Sequence, residues 1–133
     1  MKHIEHIGIA VNDLKESNQL FERLLGVAPY KEEVVESQGV RTSFFKTSIN
    51  KIELLEPTDD RSSIAKYLEK RGEGVHHIAF AVDDIETELE RLNANGFKLI
   101  HSSPIKGADN KLVAFLHPKG TSGVLIELCQ AIS

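Results

Sequence analysis

The 133-residue chain is the size of one ordinary domain, and 41% hydrophobic with 27% charged residues is the balance of a folded globular protein, which excludes the disordered and fibrous classes. A formal charge of -4, with lysines and arginines scattered, excludes the basic face that nucleic acid requires. No run of about 18 apolar residues occurs, and His3, Glu5 and His6 interrupt what would be the apolar region of a signal peptide. With Cys129 the only cysteine, no intramolecular disulfide can form, and a reducing, cytoplasmic setting is expected.

Residues 7–11 are a short Ile/Val-rich run closed by Asn12-Asp13, a strand ending in a turn. Leu14, Phe21, Leu24 and Leu25 then recur at helical intervals, Asp13 with Glu16 resembles a capping box, and Gly26 is the stop, giving a helix of about 12 residues. Three extended segments follow at residues 30–35, 42–47 and 51–56, separated by Gln38-Gly39 and Ile49-Asn50 and closed by Pro57. Ile64, Ala65 and Leu68 make a short connecting helix within residues 62–71, and Gly72 and Gly74 make a turn. The order then repeats: a strand at 77–82, a helix carrying Ile85, Leu89 and Leu92 and ended by Asn95-Gly96, and strands at 97–101, 111–117 and 124–129.

The repetition is literal in places. HIGIAVNDL at residues 6–14 returns as HIAFAVDDI at 77–85; His6 and His77 are 71 positions apart, and Glu53 and Glu127 are 74 apart. Two copies are too few, and the period too long, for a stacked solenoid, so two paired modules are the better model. The expected fold is α+β: one domain, 1–133, made of a βαβββ module at 3–57, a connecting helix and linker at 58–74, and a second βαβββ module at 75–129.

Side chains alternate along a strand, so His6 shares its face with Gly8 and Ala10, and His77 with Ala79 and Ala81, while the bulky residues between them face a helix. Each histidine thus heads a strand with small same-side neighbours, the floor of a cleft. Glu53 and Glu127 each interrupt an apolar strand, and a buried carboxylate must be paired, hydrogen-bonded or metal-bound. A lone strand histidine or glutamate is ordinarily structural or solvated; the recurrence of both types at equivalent positions is what favours His6, Glu53, His77 and Glu127 as a mixed nitrogen and oxygen ligand set for a divalent cation such as Co, Mn, Ni or Zn. Such an ion, with positions open to substrate, stabilises the charge of an enolate. His76 is turned away from His77 by alternation. His3, His101 and His117 have no repeat partner and read as structural or loop residues, with His117 the nearest to an exception. Cys129 reads as a small buried hydrophobe, and Asp83-Asp84, matching Asn12-Asp13, as helix capping.

EHIGIAV, KIELLEP, RGEGVHHIAFAVDDI, VAFLHPKG and GVLIEL, in that order and spacing, resemble the methylmalonyl-CoA epimerase family of the vicinal oxygen chelate superfamily, which also holds glyoxalase I. The resemblance covers nearly the whole chain. It implies paired βαβββ modules whose sheet curves around a metal cleft, usually in a homodimer, with the same four ligands. It also implies epimerisation of methylmalonyl-CoA, an acyl-CoA thioester, by loss and return of the α-proton through an enolate-like intermediate. Two groups on opposite faces, or one mobile group, are needed for that. Glu127 is the candidate for one; the position that carries the second carboxylate in some family members is here Thr42, beside Arg41, so Glu53 takes its place as candidate, with a metal-bound water as the alternative. Some epimerases have Gln where this chain has Glu53. Lys111 and Lys119 are carried over as contacts to the CoA phosphates.

Two other functions remain open at this point. A glyoxalase I-type isomerase of a hemithioacetal uses the same donor types and the same enolate chemistry. A metal-free small-molecule-binding module of the same fold needs no convergent donors, so the presence of all four counts against it. A ring-cleaving oxygenase would use two His and one carboxylate.

Overall fold

A computed structural model describes residues 1–132 of the chain. The chain forms two compact units, one from His6 to His76 and the other joining Met1–Glu5 to the segment from His77 onward.

The first unit holds β1 (Ile4–Ala10, from His6 on), α1 (Leu14–Leu25), β2 (Lys31–Val35), β3 (Val40–Lys46), β4 (Lys51–Pro57) and α2 (Ser63–Arg71). Its strands lie in the order β2-β3-β4-β1, with β1 parallel to β4 and the other neighbours antiparallel. α1 forms where the sequence signals it. The Asp13 carboxylate accepts from the Glu16 N–H, and Gly26, in the left-handed region at φ 75°, donates its N–H to the Glu22 carbonyl. The helix buries Leu14 against Val11, Phe45 and Leu54, with Phe21 and Leu25 packed alongside. Leu24 does not join this stripe: it is 70% exposed, because ten residues after Leu14 the helix has turned it away from the sheet. α2, capped by the Ser62 hydroxyl, lays Ile64 over Ala10, Val40 and Leu55. The Ala10 end of the His6 face is therefore covered, not open floor. Gly39 at φ 65° makes this possible, since a Cβ there would stand 2.9 Å from the Cβ of Ser62.

The second unit continues β5 (Gly74–Ala81) from His77 and adds α3 (Ile85–Ala94), β6 (Ile105–Lys106), β7 (Lys111–Leu116) and β8 (Ile126–Ala131) in the strand order β5-β8-β7-β6. That is the first unit's order with each strand replaced by its repeat equivalent. Lys2 and His3 add backbone hydrogen bonds to Ala81. α3 is capped by Asp84, which accepts from the Thr87 N–H, and buries Ile85, Leu89 and Leu92 on Val82, Ala114, Leu116 and Leu128.

Both long helices are also anchored by a side chain from the strand that carries a candidate ligand. The Leu14 N–H donates to Glu56 Oε2 and the Ile85 N–H to Gln130 Oε1, each at 2.8 Å. Glu56 and Gln130 stand three residues past Glu53 and Glu127, so one strand fixes a carboxylate and the helix start together.

Several boundaries differ from the expectations. Gly74 opens β5 instead of forming a turn, Pro57 closes β4 from within, and the last strand runs two residues later than 124–129. Residues 97–101 form a single bridge, Leu99 to Leu116, instead of a strand. The reason is local: the Phe115 N–H donates to His101 Nδ1 at 3.1 Å, so an imidazole takes the place of a ladder carbonyl, and Pro104 cannot donate to a ladder. The edge partner of β7 is consequently the two-residue β6.

Candidate metal centre

Within the first unit, β1 and β4 run parallel with Gly8 opposite Glu53. His6 lies one side-chain step from Gly8 on the same face, so the imidazole and the carboxylate meet across a position without a side chain. His6 Nε2 and Glu53 Oε1 are 3.2 Å apart, and both residues are 5% exposed. Within the second unit Ala79 stands opposite Glu127. His77 Nε2 and Glu127 Oε1 are again 3.2 Å apart, at 2% and 6% exposure.

Each pair has an aromatic brace. Phe44 on β3 is opposite Glu53, and Phe115 on β7 is opposite Glu127. Their rings meet His6 and His77 edge-on, at 6.3 and 5.8 Å between centroids and 87° between planes in both cases. Phe44 and Phe115 carry no chemistry-bearing signal of their own; the mark that could have found them is their separation of 71 residues, the same as that of the histidines. The two pairs also differ in a polar partner. Thr42, fully buried, donates from its hydroxyl to Glu53 Oε2 at 2.7 Å, whereas the equivalent position in the second module is Val113.

The donors of each pair fit a divalent cation. Two neighbouring ligands at about 2.1 Å from a shared ion stand roughly 3 Å apart, which the observed separation matches. Imidazole nitrogen with carboxylate oxygen is the donor mixture suited to Mn, Co, Ni or Zn. The same 3.2 Å accommodates a hydrogen bond without the ion, and among the described residues no buried side-chain nitrogen or oxygen lacks a partner.

Three of the other histidines do structural work. His76 packs edge-on against Tyr67 at 5.0 Å, His101 accepts from the Phe115 N–H, and His117 Nδ1 accepts from the Lys119 N–H at the start of a 3-10 turn. His3 is exposed. Asp84 caps α3 as expected, whereas Asp83 takes no part in the cap and meets Lys2 at the surface. Cys129 is buried with Ala79 and Val113. Lys111 begins β7 while Lys119 lies beyond its other end, so the strand, about 16 Å over its length, separates them.

Residues 5–115 match the model of the glyoxalase/bleomycin resistance protein/dioxygenase superfamily. The chain is 41% identical to the uncharacterized protein YqjC of Bacillus subtilis, over 98% of this chain and 93% of that one. It is also 41% identical to the mitochondrial methylmalonyl-CoA epimerase of Dictyostelium discoideum, over 94% of this chain and 76% of that one. The chain belongs to the methylmalonyl-CoA epimerase family. Among solved structures, a variant of the Streptomyces coelicolor methylmalonyl-CoA epimerase in complex with 2-nitronate-propionyl-CoA matches with a TM-score of 0.94 and 36% identity, over 100% of this chain and 96% of that one. The fold is accordingly the glyoxalase-like α+β fold of the methylmalonyl-CoA epimerases, and the His–Glu pairs sit on its equivalent strands β1 with β4 and β5 with β8.

Proposed function

We propose that this protein is an isomerase that interconverts the two epimers of methylmalonyl-CoA, taking the α-proton from one face and returning it to the other through an enolate-like intermediate. His6, Glu53, His77 and Glu127 would hold one divalent cation, Co, Mn, Ni or Zn. That ion supplies Lewis-acid stabilisation of the negative charge that develops on the thioester oxygen. Glu127 takes or returns the proton on one face and Glu53 serves the other, because epimerisation requires an acid/base group on each side. The edge-on rings of Phe44 and Phe115 fix the planes of the two imidazoles. Lys111 and Lys119 contact the CoA portion, and since they lie at opposite ends of β7, they meet different parts of it. The setting is cytoplasmic, the chain acts as one domain over 1–133, and the working form is a homodimer.

One observation carries this reading: a buried His–Glu pair with an aromatic brace, built twice with the same spacing in a chain of the epimerase family. The test is α-hydrogen exchange. Purified protein supplied with Co2+ or Mn2+ and methylmalonyl-CoA in D2O is expected to incorporate deuterium at the α-carbon; no incorporation with any of several divalent metals overturns the reading. Thr42, standing where some epimerases carry their second carboxylate, favours glyoxalase I-type isomerisation as the second reading. A hemithioacetal substrate in the same preparation separates the two.

A further inference from the structure

We propose that Thr42 is a positioning residue that fixes which oxygen of Glu53 is offered to the metal, an inference that rests on Glu53 being a ligand as argued above. A carboxylate on a flexible stem can rotate and present either oxygen or both. Here the two oxygens are committed differently: Oε1 stands 3.2 Å from His6 Nε2, and Oε2 accepts the Thr42 hydroxyl at 2.7 Å. The donor is confined by its packing. Thr42 is fully buried in the middle of β3, directly opposite Leu55 on β4, and its β-branched side chain has few rotamers to choose from. A hydroxyl donating to a ligating carboxylate holds that oxygen toward the protein and turns the other to the ion, so Glu53 offers Oε1 to the metal while Oε2 keeps a second lone pair for the proton.

The repeat shows that the fold itself does not need this hydroxyl. Thr42 and Val113 are equivalent positions: each lies two residues before the bracing phenylalanine on the middle antiparallel strand, opposite Leu55 in one unit and Cys129 in the other. Val113 is buried at 4% exposure, so a valine packs at this place in the module. Valine matches threonine in shape and differs by the hydroxyl, which makes Thr42→Val the direct test and Thr42→Ser, which keeps the donor, its control.

The experiment measures Co2+ and Mn2+ affinity by chelator competition on the purified parent, Thr42→Val and Thr42→Ser proteins, with α-hydrogen exchange of methylmalonyl-CoA followed alongside. Loss of a partner that orients a metal ligand typically weakens affinity about 10- to 100-fold. That loss is expected for Thr42→Val, with Thr42→Ser close to the parent. Thr42→Val affinity equal to the parent's overturns the positioning role and leaves the epimerase reading standing. An equal loss in both variants also overturns it, since the donor is kept in one of them. A parent that binds metal but exchanges no α-hydrogen overturns the epimerase reading alone, and a parent that binds neither ion overturns both.

Discussion

Replacing Glu127 by Gln isolates the chemistry of the proposed site from its packing. The residue is 6% exposed, flanked across the sheet by Ala79 and Phe115, with Oε1 3.2 Å from His77 Nε2. Truncation to Ala would open space among these groups, whereas glutamine has the same shape and leaves them in contact, so the cost in stability is expected to stay below about 1 kcal/mol. The carboxylate's proton affinity is what disappears. A positioned acid/base group contributes about 10²–10⁴-fold to rate, or about 3–5 kcal/mol of transition-state stabilisation. Metal affinity should fall by at least the roughly 10- to 100-fold that changes one layer further out produce. The assay is deuterium incorporation into methylmalonyl-CoA at saturating Co2+, read by mass spectrometry, with thermal melting of the metal-free protein as the measure of folding. Glu127→Gln protein that melts with the parent and exchanges hydrogen at the parent's rate would refute the assignment of Glu127 to the reaction.

Asp84→Ala serves as the contrasting case: losing the acceptor for the Thr87 N–H should cost about 1 kcal/mol and lower the melting temperature by a few degrees while turnover is unchanged. Gly39→Ala forces a Cβ into the left-handed region and to 2.9 Å from Ser62 Cβ at the cap of α2; a loss of about 1–3 kcal/mol is expected in urea unfolding. Glu88 gives a pH-dependent prediction. The Arg91 guanidinium, hydrogen-bonded at 2.6 Å, holds its carboxyl below the ordinary glutamate range against the opposing effect of burial, with the terminal ammonium assisting. A carboxyl lowered in the folded state adds stability above its unfolded pKa and loses it as pH falls through the folded value. Glu88→Gln should therefore cost about 0.2–1 kcal/mol near neutrality, and its melting curve should converge on the parent's as the pH falls below the ordinary glutamate range.

The repeat carried most of what the chain discloses without coordinates. Period-2 and period-3.6 patterns, two Asp caps and turn glycines follow from local sterics and hydrogen bonding, so the element order of the first unit and the helix limits were legible from the chain. His6 with Glu53, and His77 with Glu127, were legible because alternation assigns a face and the repeat pairs the positions. Other features arise only when strands are laid side by side. The register that sets Phe44 beside Glu53 and Thr42 within reach of its carboxylate is fixed by how the neighbouring strands β3 and β4 pair, which residue patterns within either strand do not encode. Glu56 and Gln130, unremarkable in the chain, become helix anchors only by strand placement. Residues 97–101 looked like a strand, but the His101 side chain captured the Phe115 N–H and broke the ladder. Local propensity is a property of neighbours along the chain; which donor finds which acceptor is decided by tertiary packing.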